Sequence, residues 1–252
     1  MKLIVKNSSK SKILKIVLLA VIMSMLAITS ASCKWTIGVV RGSGEMEMEE
    51  REVSGFNELY FSGIGSIIIV QGDKESLRVE ADDNIIGLIE TEVSGNELHI
   101  GFKRGFNIVP TAKVKFYLTV VDLERIELSG LGDIDCDQFE TDGLEFRISG
   151  SGNIDFDLEA KTLDTHVSGL GDINLSGKVD SQKIQISGSG KYDAEDLESK
   201  DCEVGLSGLG SATVNVSGDL EIDISGVGNV YYTGSPHISQ HISGLGRIKS
   251  FD

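Results

Sequence analysis

Proline and basic residues are scarce in this 252-residue chain. The first shortage bears on its domain organisation and the second on its partners. There are two prolines, and no proline-rich or charged linker divides the sequence, so one continuous domain is the simplest organisation. There are 23 Lys and Arg against 39 Asp and Glu, which gives a formal net charge of −16. Because such an acidic surface repels nucleic acid and anionic lipid, nucleic acid is excluded as a partner.

Motifs that carry catalysis are missing as well. The sequence has no P-loop, HExxH or CxxC motif, and it has four histidines. None of the four has a serine, a cysteine and an acid at spacings typical of a nucleophilic site. We therefore expect a non-catalytic protein without a cofactor, apart from the calcium hypothesis considered below.

The one long apolar run, residues 16–28, is too short to predict a membrane span. Five lysines precede it, and small residues at 29–32 and then Cys33 follow it. This order predicts a secretory signal over residues 1–32. Because Cys33 directly follows small residues, the junction resembles the lipobox of bacterial lipoproteins, in which the cysteine is diacylated. Ser30 stands where that motif prefers Leu, so soluble secretion and an uncleaved anchor remain open.

A lipid on Cys33 predicts an exported protein of the bacterial cell envelope, an outer-membrane lipoprotein that faces the periplasm or the surface. Residues 33–52, with the acidic stretch 45–50, are then expected to be a tether. Removing residues 1–32 removes five lysines and no acid, so the mature net charge is −21. The predicted domain covers residues 53–252.

Glycine is abundant, with 30 residues, and much of it lies in one motif. The tetrapeptide SGxG occurs eight times, and seven copies recur every 18–20 residues through residues 122–252. A short fixed period predicts a supersecondary unit that stacks on its neighbours. A turn there needs positive φ or close backbone approach, which glycine permits. The predicted structural glycines are Gly130, Gly132, Gly150, Gly152, Gly169, Gly171, Gly188, Gly190, Gly208, Gly210, Gly226, Gly228, Gly244 and Gly246.

Apolar and polar residues alternate on both sides of each SGxG, which predicts a strand, a turn and a strand with one face buried. Units of about nineteen residues with equivalent residues in each favour an all-β solenoid whose rungs lie about 4.8 Å apart. Hairpins packed side by side are the competing geometry. The eighth SGxG, at 62–65, lies in residues 53–121, which lack the period. We expect this stretch to be an irregular opening section that caps one end.

Two further cysteines, Cys136 and Cys202, fall in apolar columns of the repeat and should point inward. They lie about three rungs apart, on the order of 14 Å at one strand spacing per rung. A disulfide needs Cα atoms within about 7 Å, so we expect two free, buried thiols.

Aspartate and asparagine recur on the outward face after the turns, in neighbouring rungs. Stacked at about 4.8 Å, their oxygens suggest a weak calcium surface. The alternative is a solvated polar face with Asn and Asp ladders. The candidate residues are Asp133, Asp135, Asn153, Asp155, Asp172 and Asn174.

The segments VSGFNELYFSGIGSIIIVQGD, LRVEADDNII and IETEVSGNELHI, followed by the SGxGxI repeats, resemble the auto-transporter adhesin, head GIN domain family of exported bacterial proteins. The resemblance covers the chain from about Val53 onward. It implies a right-handed β-helix similar to the pectin-lyase architecture, without the catalytic residues of those enzymes, and a role in cell adhesion. The family's motif glycines are structural, so it assigns no functional residue here.

Two functions follow from the sequence. The first is a non-catalytic envelope lipoprotein that presents its solenoid surface to a protein or glycan partner. The alternative is a carbohydrate-active β-helix enzyme such as a polysaccharide lyase. A lyase needs a basic residue near carboxylates or calcium. Stacking of the repeat units suggests Arg147 beside Asp133 and Asp155 as such a site.

Overall fold

Stacked strands build almost the whole of the computed structural model, which describes residues 38–251. The predicted signal segment and Cys33 lie outside the described residues. The first half contains β1 Gly38–Arg41, β2 Met46–Arg51, β3 Glu58–Phe61, β4 Ile64–Gln71, β5 Ser76–Asp82, α1 Asp83–Ile86, β6 Ile89–Ser94, β7 Glu97–Phe102, β8 Phe106–Val109 and β9 Lys115–Val120. The repeats form β10 Arg125–Leu128, β11 Leu131–Ile148, β12 Ile154–Val167, β13 Leu170–Ile186, β14 Ser189–Leu206, β15 Leu209–Val216, β16 Asp219–Ile224, β17 Val227–Gly234, β18 His237–Ile242 and β19 Leu245–Ser250.

Each rung has two arms that meet at an SGxG corner. The first arm, before the corner, is a parallel ladder in the order β7, β3, β10, β11, β12, β13, β14, β16 and β18. The second arm, after the corner, runs β9, β4, β11, β12, β13, β14, β15, β17 and β19. Strands β11 to β14 pass through both arms. The fold is therefore a β-solenoid of about seven turns with a spacing of about 19 residues, as the period predicts.

Close backbone approach explains the corner glycines. A Cβ on Gly169 would lie 2.0 Å from the carbonyl oxygen of Gly150, and one on Gly171 would lie 1.8 Å from that of Gly152. The other repeat corners show the same contact with the preceding rung. Positive φ, the other predicted reason, is found at Gly152 and Gly171 but not at Gly169. The corners are thus places where backbone stacks directly on backbone.

The eighth SGxG belongs to the same stack, within the irregular opening section expected over residues 53–121. Phe61 pairs with Leu128 on its first arm, and Ile64 pairs with Leu131 on its second. The period is lost because β5 to β9 are inserted before the next corner. Sequence spacing could not show this, since an insertion between two rungs leaves their register intact.

The inserted strands close the N-terminal end of the solenoid. Strand β5 runs antiparallel to β9, β6 runs antiparallel to β7, and β2 lies antiparallel to β5. Strands β1 and β8 form a separate two-stranded sheet. The tether expected over residues 33–52 is therefore wrong for its second half, because Met46–Arg51 is a strand of the closing sheet. The glutamates of this stretch suggested a solvated tether. They are solvated because β2 is an edge strand.

The inward columns of both arms form one continuous apolar core. Cys136 lies beside Ile69 and Phe156 on the second arm, while Cys202 lies beside Gln182 and Leu220 on the first. Both thiols are free and buried, as their columns predict. Burial raises the pKa of the Cys136 thiol to about 11 and that of Cys202 further still. Neither thiol is activated for chemistry.

Helix is limited, within residues 38–251, to the four residues of α1. In this part of the chain no helix has the length and apolar character needed to cross a bilayer.

Candidate binding groove

The outward face of the first arm carries a shallow groove of about 790 Å³. Two rows of side chains from successive rungs line it. One row holds the residue two positions before each corner serine, and the other holds the corner serines themselves. The first row is Glu127, Arg147, His166, Gln185, Gly205 and Asp223, and the second is Ser149, Ser168, Ser187, Ser207 and Ser225.

Gly205 forms the floor of this groove. It lies in register between Gln185 and Asp223, in a row where every neighbouring rung has a polar side chain. A Cβ at this position would meet its nearest neighbours at 3.7 and 3.9 Å, which are ordinary contacts. The backbone there does not have positive φ. Unlike the corner glycines, Gly205 is therefore not required by packing, and its missing side chain leaves room on the surface.

A network of ion pairs fixes the N-terminal end of the groove. Nε of Arg147 donates to Glu145 at 2.6 Å, and Nε of Arg125 donates to the other oxygen of Glu145 at 2.8 Å. Arg125 also reaches Glu58 at 2.6 Å. Burial tends to raise the pKa of Glu145, but the two arginines outweigh it and lower that pKa. Glu145 is therefore held as an anion that orients Arg147 along the groove.

A third row, four positions before each corner serine, borders the groove and continues this pattern toward the C-terminal end. Lys183 donates to both carboxylate oxygens of Glu203, at 2.7 and 2.8 Å. Beside it, the hydroxyls of Ser168 and Ser187 each approach a carbonyl oxygen of the preceding rung at 3.4 Å. These serines are exposed enough to exchange such long bonds for bonds to a ligand. The groove thus offers carboxylate, guanidinium, amide, imidazole and hydroxyl groups at rung spacing.

The predicted Asp and Asn patch lies on the outward face of the second arm, and its first column holds the rungs together. Oδ1 of Asp133 accepts from the backbone of Asn153 at 3.0 Å, and Oδ1 of Asn153 accepts from that of Asp172 at 3.3 Å. Asp172 accepts in turn from the backbone of Lys191 at 3.1 Å. These side chains form the ladder that the sequence left as the alternative to calcium.

The second column of the patch contains Asp135, Asp155 and Asn174, which stand in register. Burial raises the pKa of Asp135, and the nearby charge of Asp133 raises it further. Residues 38–251 contain no group of three or more His, Cys, Asp or Glu side chains that could hold a metal ion. Two of the six patch residues, Asn153 and Asn174, are asparagines, and the calcium hypothesis stays a prediction from the sequence.

The lyase alternative depended on Arg147 beside Asp133 and Asp155. The structure places Arg147 on the first arm and the two aspartates on the second, on opposite sides of the corner. Arg147 is ion-paired with Glu145, and Asp133 is ion-paired with Lys113. The two halves of the suggested site are therefore not brought together.

A buried chain of hydrogen bonds crosses the core and was not predicted. The hydroxyl of Tyr192 donates to Oε1 of Gln182 at 2.8 Å, and Nε2 of Gln182 donates to Oγ of Ser199 at 2.9 Å. Ser199 donates to the carbonyl oxygen of Asn215 at 2.8 Å. The signal in the sequence was Gln182, a polar residue in an apolar column. The chain of bonds satisfies its own polar atoms and offers nothing to a ligand.

Comparison with known proteins places these features in a family. Residues 55–236 match the family described as "Putative auto-transporter adhesin, head GIN domain". The chain belongs to this family. The resemblance seen in the sequence is confirmed, and family membership supports a binding role in general terms.

Solved structures share the solenoid. A "putative adhesin" from Bacteroides fragilis is 28% identical, with a TM-score of 0.81, over 84% of this chain and 100% of that one. A "putative lipid binding protein" from Parabacteroides distasonis is 24% identical, with a TM-score of 0.67, over 85% and 100%. A "putative adhesin" from Parabacteroides merdae is 20% identical, with a TM-score of 0.66, over 85% and 100%. The last two show the shared fold alone. No curated protein matches the chain.

Proposed function

We propose that this protein is a non-catalytic adhesion module of the bacterial cell envelope that binds an extended glycan along the first-arm groove. Membership in an adhesin family and the likeness to the Bacteroides fragilis structure support a binding role. The groove supplies a surface for that role, with polar groups repeated at strand spacing.

The observation that carries the proposal is Gly205. Neither packing nor backbone conformation requires a glycine at this position, since a side chain would fit there without strain. A glycine that packing does not require, at the centre of a row of polar side chains, is explained if a ligand occupies the space. The groove runs across several rungs, so its occupant is an extended molecule rather than a compact one.

Polar chemistry favours a glycan over a protein in this groove. Protein interfaces are centred on buried aromatic or aliphatic anchors and the pockets that receive them. The outward-pointing groove residues are charged, amide, imidazole or hydroxyl groups. Such groups suit the hydroxyls of a sugar chain, to which each can donate or from which each can accept. A protein partner is therefore the second candidate, and it is an outcome of the test below.

The direct test uses Gly205→Gln, which fills the groove with the side chain that Gln185 already places in this row. We expect the wild-type domain to bind extended polysaccharides on a glycan array and the variant to lose at least about tenfold in affinity. Asn174→Gln adds one methylene on the exposed second-arm face and is the matched control. If both variants bind like wild type, the groove is not the site. If the wild-type groove captures a peptide instead of a glycan, the glycan assignment is wrong.

The non-catalytic part of the proposal has its own test. Incubation with polyuronic acids should release no unsaturated product, because Arg147 is committed to Glu145 and lies away from Asp133. An absorbance rise from unsaturated ends that disappears in Arg147→Ala would establish the lyase alternative instead.

Attachment to the membrane through Cys33 completes the proposal. It is supported by the order of basic, apolar and small residues before the cysteine. Cys33→Ser should move the protein from the membrane fraction to the soluble fraction. A variant that stays in the membrane fraction, or an unmodified Cys33 in the mature wild-type protein by mass spectrometry, would contradict lipidation.

A further inference from the structure

The two ends of the solenoid each present two edge strands. Within residues 38–251, β2 pairs with β5 alone and β6 pairs with β7 alone. At the other end, β18 pairs with β16 alone and β19 pairs with β17 alone. Each arm of the solenoid therefore ends, on both sides, in a strand whose outer edge pairs with no other described strand. Free edges carry backbone donors and acceptors that can pair with another strand.

The C-terminal end also leaves part of the core uncovered. Ile242 is 41% exposed, whereas Ile224, its neighbour in the same column one rung earlier, is fully buried. Ile238 and Ile248 are partly exposed for the same reason, because within residues 38–251 no rung lies beyond them. At the N-terminal end the closing strands keep Val79 and Ile89 buried. A repeat protein normally covers its terminal rung with polar residues. Here Gln240 follows Ile222 and Ser250 follows Tyr232 in the inward columns, yet Ile242 in the same rung stays exposed.

The edge strands of the two ends carry opposite charge. The N-terminal edges hold five glutamates and one arginine: Glu47, Glu49, Glu50 and Arg51 in β2, and Glu90 and Glu92 in β6. The C-terminal edges hold no acid at all. Their ionisable side chains are His237 and His241 in β18, and Arg247 and Lys249 in β19. In a chain with 39 acids and 23 bases, a basic end stands out from the surrounding surface.

This distribution selects one mode of self-association. Two N-terminal ends repel each other, and so do two C-terminal ends, because like charges meet across the contact. Charges on edge strands ordinarily prevent edge pairing. Here the signs block contacts between like ends and favour a contact between unlike ends. We propose that copies of this protein associate head to tail, with β18 and β19 of one copy against β6 and β2 of the next.

The contact would extend both arms of the solenoid from one copy into the next and cover Ile242 and Ile248. Because the two surfaces differ, the association is heterologous and generates open chains of copies unless the rotation closes a ring. The proposal is independent of the groove, which lies on the outward face of the first arm and stays accessible in such a chain.

The test is sedimentation velocity on exported protein carrying Cys33→Ser, which removes the predicted lipid. We expect the average mass to rise with protein concentration in 50 mM salt and to fall toward the monomer in 500 mM salt, since exposed charges are screened over a few ångströms there. A monomer at every concentration in low salt would overturn the proposal. So would a fixed dimer that salt does not affect.

Charge reversal at each end makes the test specific. Arg247→Glu with Lys249→Glu gives a chain with two acidic ends, and Glu47→Lys with Glu50→Lys gives one with a basic β2 edge. Each variant alone should stay monomeric in low salt, while an equimolar mixture should associate, because unlike ends are then available between the two variants. Unchanged melting temperatures verify that both fold. A mixture that stays monomeric, or a single variant that associates like wild type, would contradict head-to-tail contact.

Discussion

The closed N-terminal end and the open C-terminal end of this solenoid use the same strands in different ways. At the closed end, Asp82 is fully buried and accepts backbone hydrogen bonds from Gly44 at 2.9 Å and Thr111 at 3.0 Å. The hydroxyl of Thr111 also donates to it. Two loops are thereby fastened to the edge of the sheet. At the open end, β18 and β19 are held by one neighbouring rung.

The difference shows where the stability of a repeat protein resides. Each interior rung is restrained from both sides, whereas a terminal rung depends on one interface unless extra contacts replace the missing one. Asp82 and its donors supply such contacts at the closed end. Substitutions in the interior, at the closed end and at the open end should therefore differ in how much unfolding free energy they cost.

The largest divergence should come from one substitution made in two corners. In Gly188→Val the new Cβ would lie 2.2 Å from the carbonyl oxygen of Gly169, and in Gly244→Val it would lie 2.1 Å from that of Gly226. The interior rung cannot move aside, so Gly188→Val should cost about 3 kcal/mol of unfolding free energy. The last rung can shift outward, so Gly244→Val should cost less than about 1 kcal/mol. Urea unfolding followed by circular dichroism measures both. Equal losses would mean that the terminal rung is as firmly held as the interior.

Removing the carboxylate that fastens the closed end should have the next largest effect. Asp82→Ala leaves the donors of Gly44 and Thr111 without their acceptor, and we expect a loss of about 2 kcal/mol. Asp73→Ala, in the exposed turn between β4 and β5, is the control. A loss no greater than that of the control would show that the loops are held by other contacts.

The same carboxylate predicts a pH dependence. Burial tends to raise the pKa of Asp82, but hydrogen bonds from Thr111 and Gly44 outweigh it and lower that pKa below the ordinary value of 3.8. A lowered folded-state pKa stabilises the fold at pH values above the unfolded value, and this stability is lost as the pH falls through the folded pKa. Thermal melts between pH 7 and pH 3 should therefore lose stability more steeply in wild type than in Asp82→Asn. Parallel curves would contradict this role.

The smallest effect concerns the two buried thiols. Native protein should resist alkylation at both, because burial raises the pKa of Cys136 to about 11 and that of Cys202 still further. In low urea, Cys202 should react first, since it lies closer to the open end, from which local unfolding starts. Peptide mapping by mass spectrometry distinguishes the two. Earlier labelling of Cys136 would contradict unfolding from the open end. A disulfide between the two would contradict the prediction of free thiols.

Residue columns were the part of the fold that the sequence could predict. Alternation placed Cys136 and Cys202 inward, because a strand allows two side-chain directions only. Solenoid stacking followed from the repeated corners. Local patterns of this kind need no knowledge of distant contacts.

Features that depend on distant contacts could not be predicted. The corner at 62–65 joins the stack through β10 and β11, across a long insertion, and β2 was mistaken for a tether because its partner β5 lies thirty residues away. Arg147 and Asp133 looked adjacent in the rows, but they lie on different arms. The groove could not be predicted because it depends on Gly205. Only the structure shows that a side chain would fit at this position.

Amide hydrogen exchange tests the central contrast between the ends most directly. In high salt and at low protein concentration, where charge-driven association is weakest, the outer amides of β18 and β19 should exchange fastest among the strands of the repeats. Amides of β5, β7 and β9 should exchange as slowly as those of β13, since the closing strands and Asp82 hold them from the other side. Exchange that is equally slow in β18, β19 and β13, or fast in β5 and β7, would contradict a solenoid closed at one end and open at the other.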